Sequence, residues 1–166
     1  MKTLDDLLTH FLQDVYFAES QLVKALPKMA KSAQQPALKE AFTAHHQETI
    51  QQVERLKKVF EHLGKPAKAV TCEAIKGLIE EAEEVIGDSD PGPVRDAGLI
   101  ACGQAVEHYE MARYGALIAW ARAEGHNPIV ALLQQTLDEE KKADKSLNEL
   151  ALKEINKSAS AMAHAA

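Results

Sequence analysis

Aromatic residues make up only 5% of this 166-residue chain and β-branched residues are sparse, so little in it favours extended strands. It has two cysteines, Cys72 and Cys102, which form neither a Cys-x-x-Cys pair nor an evenly spaced ladder. Such spacing argues against a disulfide framework and assigns both thiols to buried, reduced positions in helical segments. No apolar run approaches the roughly 20 residues that span a bilayer, and the stretch from Met1 to Asp6 lacks the apolar core of a signal peptide. A cytoplasmic protein with no membrane partner is expected. Basic charge is not in excess either: 19 Lys and Arg stand against 25 Asp and Glu, a formal net charge of −6. Without a basic stripe, an aromatic platform or a Gly-rich basic tail, the chain has no means of gripping phosphates, and nucleic acid is not expected as a partner.

What dominates instead is Ala, Leu, Glu, Lys and Gln, the strong helix formers, in a chain of single-domain length. The expectation is all-α. Thr3 is placed to cap a first helix, with Asp5 and Asp6 in its first turn and apolar residues at Leu4, Leu8, Phe11, Val15, Leu22, Leu26 and Met29. Pro27 should kink that helix near its end. After a short break at 32–36 a second stripe runs through Leu38, Phe42, His45, Glu48 with Thr49, Gln52, Leu56, Val59 and Leu63, closed by Gly64 and Pro66. Thr71 is placed to cap a shorter helix with Ile75, Leu78, Ile79, Ala82 and Val85 on one side. The breaker from Gly87 to Pro93 precedes a fourth helix, with Ser89 or Asp90 as its cap, and Gly125 to Pro128 separates that from a fifth. Two helical hairpins joined by a segment with its own short helix make a four-helix bundle with one crossover, the ferritin-like arrangement. The domain is expected to span 1–157, with 158–166 a disordered tail.

The stripes contain residues that a core should refuse. Glu19 lies on the buried face of the first helix, Glu48 with His45 on the second, Glu107 and Glu110 on the fourth, and Glu140 with Asp144 on the fifth. An ionised carboxylate loses several kcal/mol on burial unless it is paired or bound to a cation. Residues equidistant from a hairpin turn share a depth: Glu19 is about 15 positions before the first turn and Glu48 about 14 after it, while Glu110 matches Glu140 and Glu107 matches Asp144 across the second. Carboxylates from four helices, with one imidazole, are the donor set for a pair of iron or manganese ions. Glu19, Glu107 and Asp144 are candidate terminal ligands, Glu48, Glu110 and Glu140 candidate bridges, and His45 a terminal nitrogen donor. The bland alternative for a single Glu is a boundary residue that snorkels to solvent. Tyr114, on the same stripe as Glu107, is read as core with a hydroxyl that could reach a ligand carboxylate. His108 points about 100° away from Glu107, which sends it to the surface or to an outer hydrogen bond.

The runs Asp14-Val-Tyr-Phe-Ala-Glu-Ser-Gln-Leu22, Gly77-Leu-Ile-Glu-Glu-Ala82, Val106-Glu-His-Tyr-Glu110 with Tyr114-Gly115, and Thr136-Leu-Asp-Glu-Glu-Lys141 with Asp144 resemble the YciE/YciF group of small bacterial ferritin-like proteins. The resemblance extends to about Ile155. It implies five helices, a homodimer, a cytoplasmic role in stress responses and a di-metal site, but not a settled reaction. The chain departs from the wider di-iron pattern, in which two helices carry Glu-x-x-His: its second helix reads His45-x-x-Glu48, and its last reads Glu140-x-x-Ala143. The expected function is a protein that binds two iron ions, or manganese or zinc, and reacts Fe(II) with peroxide or dioxygen. The alternative is a non-enzymatic metal-binding or scaffold protein without redox turnover.

Overall fold

The computed structural model describes residues 1–162, and among them every regular element is helical. Helix α1 spans Leu4–Ser32, α2 Pro36–His62, α3 Glu73–Asp88, α4 Pro93–Ala123 and α5 Asn127–Leu150. The Thr3 hydroxyl accepts from Asp6 N at 3.0 Å and Thr3 N donates to Asp6 Oδ2 at 3.2 Å, a capping box that satisfies the first free amides of α1. Pro27 lies inside α1, and the helix continues past it to Ser32. Gln35 caps α2 through Oε1, which accepts from Leu38 N, and Pro36 takes the first helical position, where its missing N–H is not needed. Gly64 and Gly125, at φ 65° and 74°, end α2 and α4 in the left-handed conformation that a side chain resists.

Two caps differ from expectation. Cys72, not Thr71, begins α3, and it makes no side-chain cap bond. Gly92 precedes α4, while the Ser89 hydroxyl turns back to Val85 O at the end of α3.

Helices α1 and α2 form one antiparallel hairpin and α4 and α5 the other; α2 packs on α5 and α1 on α4, which closes a four-helix ring. The crossover runs back along α1, where Val70 N donates to Gln13 O at 3.2 Å, and α3 packs on α1 and α4 outside the ring. Two aspartates pin the ends. Asp96, buried at the start of α4, accepts from Gln34 N at 2.9 Å and Gln35 N at 2.7 Å in the first hairpin turn. Asp5, at the opposite end, meets Lys65 Nζ at 2.7 Å and His126 Nε2 at 3.2 Å. The α4 start is thus held to the α1–α2 turn, and the α4–α5 turn to the α1 start, so α2 and α4 are parallel. This is the single-crossover bundle that the hairpins and the linking helix predict.

The chain does not fray at 158. Beyond α5 it passes through a π-helical turn, Ala151–Ile155, whose Ala151 and Ile155 are buried, into α6, Asn156–Met162, which packs against α4. Those two anchors extend the bundle by one element, and only 163–166 of the expected tail lie outside the described residues. No helix among the described residues is long and apolar enough to cross a membrane.

The hydrophobic core is divided. One cluster gathers Leu22, Leu26, Leu38, Phe42, Ile100 and Leu147; the other gathers Leu12, Val15, Leu56, Phe60, Leu117 and Leu133. Between them along α1, α2, α4 and α5 lies a polar layer at mid-bundle.

Candidate metal centre

Each bundle helix supplies the polar layer at the depth where its inward stripe crosses mid-bundle. Glu19 of α1, His45 of α2, Glu107 and Glu110 of α4 and Glu140 of α5 are all buried, none more than 6% exposed. His45, Glu107, Glu110 and Glu140 each offer a donor atom within 4.8 Å of the others. The imidazole Nε2 faces the carboxylates, 3.2 Å from Glu107 Oε1 and 3.7 Å from Glu140 Oε2, while Nδ1 is 3.8 Å from Glu48 Oε2. Glu19 Oε1 accepts from the Tyr114 hydroxyl at 2.5 Å, so this phenol is fully buried and hydrogen-bonded to a carboxylate of the layer.

Ionising the whole layer would put more negative charge there than its surroundings compensate. Desolvation, followed by the nearby Glu140, pushes the Glu19 carboxyl well above its ordinary pKa. Burial does the same to Glu107, helped by contact with Glu140, and to Glu110, helped by Glu19, Glu140 and Glu107. Burial also raises the Tyr114 hydroxyl, which therefore stays protonated as a donor. Among the described residues, Glu19 Oε2, Glu107 Oε2, both Glu110 oxygens, Glu140 Oε2, His45 Nδ1 and Gln52 Oε1 are buried without a hydrogen-bond partner; Arg113 Nε is the one such atom elsewhere. Orphaned acceptors concentrated in one layer are an expensive arrangement for a protein alone. Hard oxygen donors with one imidazole fit a ferrous or manganous ion.

Glu48 and Asp144, both expected as ligands, stand outside the buried layer. The Glu48 side chain is 32% exposed, pairs with Lys142 at 3.7 Å, and is held below the ordinary pKa first by its contact with His45. The helix repeat explains it: Thr49 and Gln52 continue the inward line from His45, whereas Glu48 is turned about 60° away from it. Asp144, one turn beyond Glu140, is 23% exposed at the rim, where Oδ1 accepts from Gln104 Nε2 at 2.9 Å and meets His108 Nε2 at 3.3 Å. His108 thus touches the rim through Asp144.

Two further polar residues of α2, Gln52 on its inward stripe and Arg55 beside it, adjoin the layer. Gln52 Nε2 donates to Glu140 Oε1 at 2.5 Å and to Glu139 Oε2 at 3.1 Å. Arg55, buried one turn on, forks to Glu139 at 2.8 and 2.9 Å and donates to Thr136 Oγ1 at 2.6 Å. Burial raises Glu139, but the bonds from Arg55 and Gln52 outweigh it and leave the carboxyl below its ordinary pKa. This network orients Glu140 and sets one cation near the layer. The signal for it was available in the four-three-four spacing of His45, Thr49, Gln52 and Leu56.

The fold and the layer together define a ferritin-like helical bundle with a buried carboxylate and histidine cluster. Residues 3–160 match the family described as a domain of unknown function, DUF892, and the chain belongs to that family. Protein YciF of Escherichia coli strain K12 is 46% identical over 160 residues, 96% of each chain. The crystal structure of that stress protein superposes with a TM-score of 0.91 over 95% of this chain and 99% of its own. YcfI of Rhodopseudomonas palustris, 50% identical, gives a TM-score of 0.87 over 89% of this chain and 94% of its own. A Xanthomonas campestris protein, 23% identical with a TM-score of 0.71, shares the fold.

Proposed function

We propose that this protein is a di-iron carboxylate protein that reacts Fe(II) with peroxide or dioxygen. The observation that carries it is the concentration of orphaned, buried carboxylate oxygens in a single layer of the bundle. Four buried carboxylates and one imidazole, drawn from all four bundle helices, come close to the donor set that holds two ions in such bundles. Glu19, His45, Glu107, Glu110 and Glu140 are the proposed ligands, with Glu48 and Asp144 at the rim. Bound Fe(II) would supply the two electrons, one from each of two ions, that with two protons reduce a peroxide to two waters. The residues of the chain do the rest. Tyr114 O–H fixes Glu19 Oε1, Gln52 fixes Glu140 Oε1, and Arg55 offsets part of the layer's charge through Glu139.

The relation to the Escherichia coli stress protein supports a role in stress, and the absence of a membrane-spanning helix among the described residues is compatible with a cytoplasmic location. A homodimer is the proposed assembly, for which light scattering should give a mass near two chains. Anaerobic Fe(II) titration followed by peroxide tests the function. About two ions per chain and oxidation faster than in buffer are expected; binding of less than one ion, or no acceleration, overturns the reading.

A second reading, a scaffold that keeps the carboxylates as protonated pairs, draws on the raised pKa values and on YcfI, provisionally described as a structural protein. Replacing Glu19, Glu48 and Glu140 together by Gln separates the two. A scaffold keeps or gains stability and had no metal to lose, whereas a metal protein loses its ions and its oxidant chemistry.

A further inference from the structure

A cleft of about 110 Å³ lies between α2 and α5 on one side of the polar layer. Ala41 and Ala44 of α2 and Ala143 of α5 form small walls, Phe42 and Leu147 line it beside them, and Lys142 and Glu48 meet at its outer edge, 3.7 Å apart. Phe42 and Leu147 are themselves pressed against Gly103 of α4, where a Cβ would come within 3.0 Å of Leu147 and 3.2 Å of Phe42. The cleft's buried end is lined by His45 and Glu107. Its origin is legible in α5. Where the wider di-iron pattern places the histidine of Glu-x-x-His, this chain has Ala143, and the volume of the missing imidazole is left open beside the layer.

The polar atoms at that end are specific. His45 uses Nε2 toward the carboxylates, which leaves Nδ1 buried without a partner, since Glu48 at 3.8 Å is too far for a hydrogen bond. Glu107 Oε2 is buried and unpartnered as well. Both atoms lie beneath the cleft's surface, closed even to water, and a shift of the imidazole or the carboxylate that opened them would offer a hydroxyl one partner to donate to and one to accept from. The rest of the lining is mostly hydrocarbon, so a charged ligand would lose its hydration there without compensation. Size narrows the class further, because a water needs only about 10–15 Å³, and dioxygen or hydrogen peroxide would leave most of the cleft unfilled.

We propose that this cleft binds a small neutral molecule with a hydroxyl or hydroperoxyl head and a compact hydrocarbon body, its head on His45 Nδ1 and Glu107 Oε2. Its role as the substrate entrance, for organic hydroperoxides as oxidant, rests on the metal reading above; the binding site itself does not.

The probe is tert-butanol, which carries the head and body but oxidises nothing, titrated into full-length protein with and without Mn(II) and followed by amide NMR shifts. Saturable shifts at Ala41, Ala44 and Ala143 are expected, with binding about tenfold weaker or worse in Ala143→Phe, which fills the cleft, and for tert-butyl methyl ether, which lacks the hydroxyl proton. Ala44→Leu narrows the opposite wall and serves if Ala143→Phe fails to fold. No saturable binding, or binding that both substitutions leave intact, overturns the proposal. Mn(II) uptake is measured on the same samples. If it is absent while probe binding responds to Ala143→Phe, the pocket stands and the metal reading falls; uptake without probe binding gives the reverse.

Discussion

Tyr114 of α4 donates its hydroxyl to Glu19 Oε1 of α1 at 2.5 Å, with both side chains fully buried. Of the influences on Glu19, this bond is the largest that favours the ionised form, against desolvation and Glu140. Tyr114→Phe keeps the ring packing and removes only the donor. Metal-free protein should lose about 1–3 kcal/mol if Glu19 is left without a partner, and metal should bind about 10–100-fold more weakly. Thermal melts and Mn(II) titration of the variant read the two effects separately.

The layer also sets a pH dependence. Glu19, Glu107 and Glu110 have folded-state pKa values raised above their unfolded ones, so each favours folding fully below about pH 4.3 and less as pH climbs through its raised value. Glu48, Glu139 and Asp5, whose values are lowered, act in the opposite sense and lose their contribution on acidification. Metal-free protein should therefore melt highest in mild acid and lower at pH 8. Mn(II) at about 100 times its dissociation constant should add about 2.7 kcal/mol at neutral pH and little at pH 5, because the ligands must be ionised to bind. A melting temperature indifferent to metal at neutral pH would show that hydrogen bonds alone satisfy Glu19 and its neighbours.

Glu48 and Glu140 are both acidic and both were candidate bridges, yet only Glu140 is buried in the layer. Glu140→Gln should weaken metal binding more than about 100-fold, whereas Glu48→Gln should change it by less than about threefold. Equal losses in the two variants, measured by calorimetry, would place Glu48 among the ligands.

Arg55 is the buried cation nearest the layer, held by two bonds to Glu139. Arg55→Met removes one partner of a mostly buried pair and should cost about 3 kcal/mol, less than in a fully dry core because Glu139 is partly exposed. Arg55→Met with Glu139→Gln should recover part of that loss. Urea denaturation of the single and double variants measures it.

Asp96 ties the start of α4 to the α1–α2 turn through two backbone amides. Asp96→Ala should destabilise the fold by about 2–3 kcal/mol while leaving metal stoichiometry unchanged, since the aspartate is at the bundle's end and not in its polar layer. Loss of metal in a folded Asp96→Ala protein, read by titration beside circular dichroism, would contradict that separation.

The sequence by itself determined the helices, their hairpins and the depth of the charged layer. Helical propensity, the 3.6-residue repeat and the glycines at 64 and 125 are local properties, and counting from each turn is enough to bring Glu110 level with Glu140, Glu107 level with Asp144 and Glu19 to the middle of its helix. Which side chain at that level faces inward is not local. Glu48 and Thr49 are neighbours in the chain, and a rotation of α2 by part of a turn decides between them; packing of Phe42, Leu56 and Val59 against the other helices chose Thr49 and Gln52 and turned Glu48 toward Lys142. The same holds for the Arg55–Glu139 pair, whose partners are 84 residues apart. At the C-terminus, composition pointed to a frayed end from 158, but burial of Ala151 and Ile155 carries the helix on to Met162. The cleft beside Ala143 is likewise a product of assembly: a small residue on α5 marks an absence, and only the approach of α2 encloses it.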